Sequence, residues 1–397
     1  MNKQITSILL IAGTCIGAGM FALPLTFAKI GIIPSIIIII LTWLFTYYCS
    51  LIYVELNLHC NKKNIINNDN NINSLPLVIA GKNVSLFENI NLKLLSYSVL
   101  SAYIYGFSSI FLKLINYDNL FIIQTFLTIF TFFLFLFNTD IISKINNVLF
   151  IILIVLFFIV ILRMLTFINF TNAPICENIN VFNILSILSL VFTSFGYQLV
   201  FYAIRDYCDN NVEMVKKAYF YGSIIAMFVY ILWSCGSLSI IYTNNIDFYN
   251  SIINNKVEVG DFIQELSKCL HFSDLQIVIY IISIFTIFTS IVGIGLGIKN
   301  SFTNVFKSKG MKNHNILSSL ITIIPPYIVS VFIPNAFMKI LNFGGIFLII
   351  LSVLLPIYLY FKANVERNYI KILNKYALIF CFIIGLIIMG LSLPTLN

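Results

Sequence analysis

Eleven stretches of the chain are almost uninterrupted apolar residues, separated by short polar connections. They run Ile5 to Phe27, Ile32 to Leu56, Leu94 to Leu114, Leu120 to Phe137, Val148 to Leu165, Ile184 to Ile204, Ala218 to Ile241, Leu275 to Ile298, Ile316 to Ile333, Phe337 to Phe361 and Tyr376 to Leu393. At about 1.5 Å of rise per residue, such lengths match the roughly 30 Å hydrocarbon thickness of a bilayer. The pattern predicts an all-α polytopic membrane protein with eleven transmembrane helices, organised as one transmembrane domain over residues 1–397. Two connections are long and polar. His59 to Lys93 is rich in Asn and contains Pro76, with a short interfacial helix expected at Leu75 to Ile79; Thr243 to Asp274 carries mixed charge.

Two of the segments contain residues that a continuous helix avoids. In the first, Gly13-Thr14-Cys15-Ile16-Gly17-Ala18-Gly19-Met20-Phe21-Ala22-Leu23-Pro24 packs three glycines and a proline into one stretch. Glycine loses the most backbone freedom on ordering and proline lacks an N–H, so the helix is expected to break here. Unwound backbone at membrane depth is tolerated where it lines a cavity. Its freed amides then face an anion and its freed carbonyls a cation. In the sixth segment, Val191-Phe192-Thr193-Ser194-Phe195-Gly196-Tyr197-Gln198 places two hydroxyls and a glycine mid-span, which weakens that helix too. Breaks in spans 1 and 6 have the spacing of two five-helix repeats of inverted topology (5+5). These would cover residues of about 5–168 and 181–361, with an extra helix at 376–393. In span 8, Thr286, Thr289, Ser290, Gly293 and Gly297 share one helical face. That face either packs closely on another helix or brings Thr289 and Ser290 to the carbonyls of Gly13 and Ile16, an oxygen cage suited to a hard cation.

Composition agrees with a membrane protein: 60% of residues are hydrophobic and only 10% charged. The first apolar run is too long for a cleavable signal peptide, and its Gly/Pro pattern suits a retained helix. The net charge of +8 is spread between the apolar spans rather than gathered in a patch, which argues against nucleic acid as a partner. Most of the Lys and Arg residues fall on one set of connections, among them Lys62, Lys63, Lys144, Lys216, Lys309, Arg367 and Lys371. The positive-inside bias therefore puts the N-terminus in the cytoplasm and the C-terminus outside. Eight scattered cysteines form no C-x-x-C pair, so no metal or redox centre is expected, and no cofactor. No nucleophile stands with a base in any span, which leaves an enzyme without its chemistry. Ionisable residues are nearly absent at mid-depth. Glu55, Arg205, Asp206 and Lys299 all lie toward the cytoplasmic ends of their spans, as anchors or an inner ion-pair network.

The stretch Gly13 to Pro24 resembles the GTxIGAGMLALP signature of the aromatic amino acid permeases, the tyrosine- and tryptophan-specific transporters of the amino acid/polyamine/organocation superfamily. Also similar are Trp43, Tyr47, Tyr48 and Glu55, the run Phe192 to Gly196, Thr289-Ser290 with Gly293 and Gly297, and Pro325-Pro326 followed by Phe332, Pro334 and Phe337. Where the family usually has a histidine or similar polar residue after Phe195-Gly196, this chain has Tyr197-Gln198. The resemblance implies a symporter of the bacterial inner membrane that imports an aromatic amino acid. Gly17, Ala18, Gly19 and Met20 would then receive the substrate carboxylate by their amides. Thr193 and Ser194 would border its amino group, and Phe195, Gly196 and Tyr197 would wall the side-chain pocket. Tyr103 or Tyr105 would reach the carboxylate by a hydroxyl. The family's usual coupling ion is the proton, for which Glu55 is the candidate carrier; Gly13, Ile16, Thr286, Thr289 and Ser290 are the candidates should the ion be sodium.

The orientation is directly testable. On a background lacking the eight native cysteines, Lys256→Cys is expected to react with an impermeant thiol reagent added outside, and Lys309→Cys only after the membrane is opened. External labelling at position 309 would reverse the topology.

Overall fold

The computed structural model describes residues 3–17, 19–62, 75–137, 139–167, 173–177, 181–270, 273–333, 336–365, 370 and 372–392. Ala18 and Pro334, both named above, lie outside them. The helices in chain order are α1 (Lys3–Cys15), α2 (Gly19–Phe27), α3 (Ile32–Lys62), α4 (Leu75–Ala80), α5 (Lys82–Leu114), α6 (Leu120–Leu136), α7 (Thr139–Phe167), α8 (Val181–Ser194), α9 (Phe201–Tyr207), α10 (Val212–Asn244), α11 (Ile246–Ile253), α12 (Val259–Cys269), α13 (Ser273–Ser308), α14 (His314–Phe332), α15 (Ala336–Ile349), α16 (Leu355–Lys362) and α17 (Lys375–Ser392). A 3-10 turn, Gly196–Val200, joins α8 to α9, and a π turn, Ile350–Leu354, joins α15 to α16.

Every apolar segment read from the sequence carries helix. Among the described residues six helices are long and apolar enough to cross a membrane, or seven if α1 and α2 count as one bent span. Leu120–Leu136, Ile151–Thr166 and Lys375–Gly390 are shorter apolar helices. Large apolar side chains such as Phe126, Phe133, Phe158 and Phe380 point outward and stand well exposed. A water-soluble surface would not carry so much apolar area, so the medium around this helix array is itself apolar.

The connections are more ordered than their polarity predicts. α5 begins at Lys82, about three turns before the expected Leu94. Gly81 starts it at φ +88, a backbone conformation that glycine adopts without strain. The charged stretch 243–274 folds into α11 and α12. Asn245 caps α11 by accepting the Phe248 N–H at 3.0 Å, and Glu258 and Asp261 form a reciprocal capping box at the start of α12. Near the end of the first bent pair, Gly31 has φ +83 and a built Cβ would lie 2.9 Å from Cys176 Cα. Its neighbours pair with the segment before α8 through Ile32 N–H to Pro174 O (2.9 Å) and Glu177 N–H to Ile30 O (3.2 Å).

Packing sorts the long helices into two groups. α10 packs on α1, α2 and α3, and α8 packs on α2 and α3; α5 packs on α6, α13 and α14, and α14 on α6 and α13. α15 bridges the groups by packing on both α5 and α8. A satellite core of Phe135, Ile142, Val292, Leu296 and Ile323 lies where the second group meets α7. Gly295 of α13 lets α6 approach there, because a Cβ built on it would overlap the Phe135 ring at Cζ. Buried Lys299, one turn on, donates to the carbonyl of the same Phe135, near the C-terminal end of α6 where helix carbonyls lack partners.

Gly295→Val should therefore lower the thermal stability of the purified protein, by about 1–3 kcal/mol for overpacking. Adding Phe135→Leu, which removes the ring it strikes, should recover part of the loss; an unchanged melting temperature in Gly295→Val would refute the contact.

Candidate functional site

The two predicted breaks are present and lie against each other. α1 and α2 meet at 49°. Gly17 N–H turns back to Cys15 O at 2.7 Å, and Met20 N–H donates to Gly17 O at 3.2 Å. In the sixth segment the hydroxyls of Thr193 and Ser194 donate to the carbonyls of Ser189 (2.7 Å) and Leu190 (3.0 Å) on their own helix. The helix ends there and the chain continues as the tighter 3-10 turn. Gly19 is the contact between the breaks, because a Cβ built on it would lie 2.8 Å from Ser194 Oγ and 3.2 Å from Ser194 Cα. A third helix joins them: the hydroxyl of Tyr230, on α10, donates to Cys15 O at 2.5 Å and to Ser194 O at 2.6 Å.

Beside the breaks lies a cavity of about 520 Å³ between the two helix groups. Seven of the predicted residues line it: Gly13, Ile16, Tyr103, Thr193, Gly196, Thr289 and Ser290. Gly17 sits immediately behind, where a built Cβ would lie 3.2 Å from Ser290 Oγ and 3.3 Å from Tyr103 Oη. Thr289 and Ser290 both donate their hydroxyl hydrogens to Thr286 O (3.1 and 2.8 Å), which leaves their oxygen lone pairs as acceptors. The walls also include Thr14 of the first break and residues the sequence did not single out, among them Asn89, Lys93, Val99, Ile294 and Leu348. Gly293 and Gly297 belong to the cavity rather than to a helix contact, since no atom lies within 4 Å of a Cβ built on either.

Other predicted residues stand elsewhere. Phe195 is buried edge-on against the Tyr230 ring, with centroids 5.1 Å apart. Tyr197 is buried against Tyr219, 5.5 Å between centroids. Ser194, Met20 and Thr286 are buried and do not line the cavity. Glu55 is also buried outside it and accepts the Ile370 N–H at 2.9 Å. Arg205 pairs with adjacent Asp206 at 2.7 Å. Tyr105, the alternative to Tyr103, instead donates to Glu258 at the start of α12, 2.6 Å away.

That last contact is one of three that hold α12 on α5. Gly260 N–H donates to Ser109 Oγ at 3.2 Å, and Lys113 pairs with Asp261 at 2.7 Å, so α12 is fastened along α5. Below it Trp233 packs between Phe21 and Phe157, at 5.7 and 5.9 Å. The cavity extends the other way, toward Leu9, Asn89 and Ser301. Among the described residues no three His, Cys, Asp or Glu side chains converge as a metal site would need. What converges is backbone, hydroxyl and apolar wall around a space of small-molecule size.

A model of the tryptophan/tyrosine permease family matches residues 1–392. The chain belongs to that family. It is 27% identical over 367 residues to tyrosine-specific transport system 1 of Haemophilus influenzae, covering 92% of this chain and 89% of that protein. Glutamine transporter 2 of Aliivibrio fischeri is 24% identical over 361 residues, with 89% and 88% covered. A tryptophan-specific transport protein of Pseudomonas aeruginosa is 22% identical over 362 residues, with 88% and 83% covered. Among solved structures, the Eremococcus coleocola manganese transporter superposes with a TM-score of 0.61 at 13% identity, covering 98% of this chain and 85% of that one, a likeness of fold alone. The permease is thus a multi-pass membrane protein of a transporter family.

The alternation along α13 gives a direct check. On the cysteine-free background, Gly293→Cys and Gly297→Cys should react with a small water-soluble thiol reagent, and Gly295→Cys, turned into Phe135, should not. Equal reactivity at all three positions would mean that α13 does not wall an aqueous cavity.

Proposed function

We propose that the permease is a secondary active symporter that imports an aromatic amino acid, tyrosine or tryptophan, across the bacterial inner membrane, driven by a proton gradient. The observation that carries this is the cavity at the two breaks, with hydroxyls and freed backbone at one end and apolar side chains along its length. Its volume of about 520 Å³ falls in the range typical of small-ligand sites. The substrate carboxylate lies toward Gly17 and the first amides of α2, where the helix supplies the positive end of its dipole and Tyr103 a hydroxyl. Thr193 and the carbonyls of the first break face the amino group. The ring lies along Val99, Ile294 and Leu348 over the bare backbone of Gly293 and Gly297, with Gly196 leaving room beside it. Phe195 and Tyr197 act behind this wall as packing.

In the same proposal each of the eleven apolar segments is a span, and spans 1–5 and 6–10 are the inverted repeats, each contributing one broken helix. The N-terminus is cytoplasmic and the C-terminus outside. The cavity then opens inward, with α12 closing the outer side, which makes this the state that releases substrate to the cytoplasm. Proton coupling rests on the resemblance in the sequence motifs, with Glu55 as carrier. A sodium-coupled alternative is favoured by one observation, that Gly13, Ile16, Thr289 and Ser290 line the same cavity with oxygen acceptors available.

The test uses proteoliposomes with an alkaline interior. Labelled tyrosine is expected to accumulate without external sodium and to collapse when a protonophore is added; tryptophan should compete with it, and alanine, arginine and glutamine should not. Accumulation that needs sodium and ignores the pH gradient overturns proton coupling, and effective competition by glutamine overturns the aromatic specificity.

A further inference from the structure

We propose that Tyr230 is a positioning residue for transport, holding the two helix breaks in register through one hydroxyl hydrogen shared by two carbonyls, and that substrate affinity depends on it. The inference rests on the transport function proposed above. Cys15 is the last residue of α1 and Ser194 the last of α8. Carbonyls at such ends have lost their helical donors, and in apolar surroundings an unpaired one is costly. After Ser194 the chain tightens, and Tyr197 N–H turns to Phe195 O at 2.9 Å. The Tyr230 hydroxyl supplies a donor to both ends, at 2.5 Å to Cys15 O, which also accepts the Gly17 N–H, and at 2.6 Å to Ser194 O.

The geometry is exacting because a phenol has a single hydrogen. Both carbonyls must converge on one oxygen, so a shift of either break against the other breaks the sharing and leaves one carbonyl without this donor. The ring cannot follow such a shift freely: it is fully buried, with Phe195 edge-on against it. On the opposite side Gly19 bears on Ser194. The end of α1, the start of α2, the end of α8 and Tyr230 thus form one closed arrangement. Tyr230 does not line the cavity, yet Thr14 and Ile16 flank Cys15, Thr193 precedes Ser194, and all three do line it. Placement of the binding surface is therefore set from behind, by a residue that never touches the substrate.

Tyr230→Phe keeps the ring and its packing and deletes only the hydrogen bonds. The expected result is a KM for tyrosine uptake raised about tenfold, the loss from two buried hydrogen bonds being shared with some relaxation, while protein amount and maximal rate stay within about twofold. Amide hydrogen exchange, which needs no substrate, should quicken at residues 12–20 and 191–198 and stay unchanged in α13 and α14. Placing 4-aminophenylalanine at position 230, which offers two N–H donors at the same reach, should restore both the KM and the protection. Unchanged exchange at the breaks, quickening at one break alone, or an amine variant that behaves like the phenylalanine one would each overturn the proposal. If the phenylalanine variant fails to fold, the amine variant against the native protein carries the test, and loss of protection there overturns it. Should the native protein take up no aromatic amino acid, the transport reading fails while the exchange data still decide the role of Tyr230.

Discussion

An interrupted helix inside an apolar medium releases backbone polar groups that water cannot reach, and the whole site is arranged around satisfying them. Each break ends a helix where nothing in the continuing chain can serve every carbonyl. The breaks are therefore placed against each other and against α10, instead of being separated and solvated. Gly19 permits that approach, since any side chain there would strike Ser194. The cavity follows from the same constraint. Where backbone has been turned to face its own partners, it leaves a concave surface of small residues, and α5 and α13 close over it.

The sequence made the first break legible because glycine and proline act on the backbone itself, and it made the second legible through Thr193, Ser194 and Gly196 in the middle of an apolar segment. It could not place Phe195 and Tyr197. They follow the end of α8, where the angular step per residue rises from about 100° to about 120° as the helix tightens into a 3-10 turn, so side chains expected on the cavity side rotate away. Tyr230 was hidden for a different reason: one tyrosine among apolar neighbours on α10 has no local feature that tells of carbonyls released by two other helices. α11 and α12 were hidden by their charge. Their caps, Asn245 and Glu258 with Asp261, are ordinary helix-start signals in a stretch whose mixed charge otherwise suggests loop.

Two buried ionisable side chains follow the same logic. Lys299 is engaged by the Phe135 carbonyl near the end of α6, and Glu55 by the Ile370 N–H ahead of α17. In both cases the side chain meets a backbone group rather than the cavity wall. Lys93, by contrast, stands at the cavity wall with its ammonium 4.5 Å from the Phe302 ring centroid.

The bare glycines of α13 also bear on how such a protein changes over evolutionary time. Most core positions of a tightly packed membrane protein resist a larger side chain, because something must move to admit it. Positions 293 and 297 do not, since the space beside them is empty. A lineage can therefore add a methyl, a hydroxyl or a branched chain there in a single step, reshaping what fits inside while the frame stays as it was. Selectivity among members of one fold can drift by this route without passing through unstable ancestors.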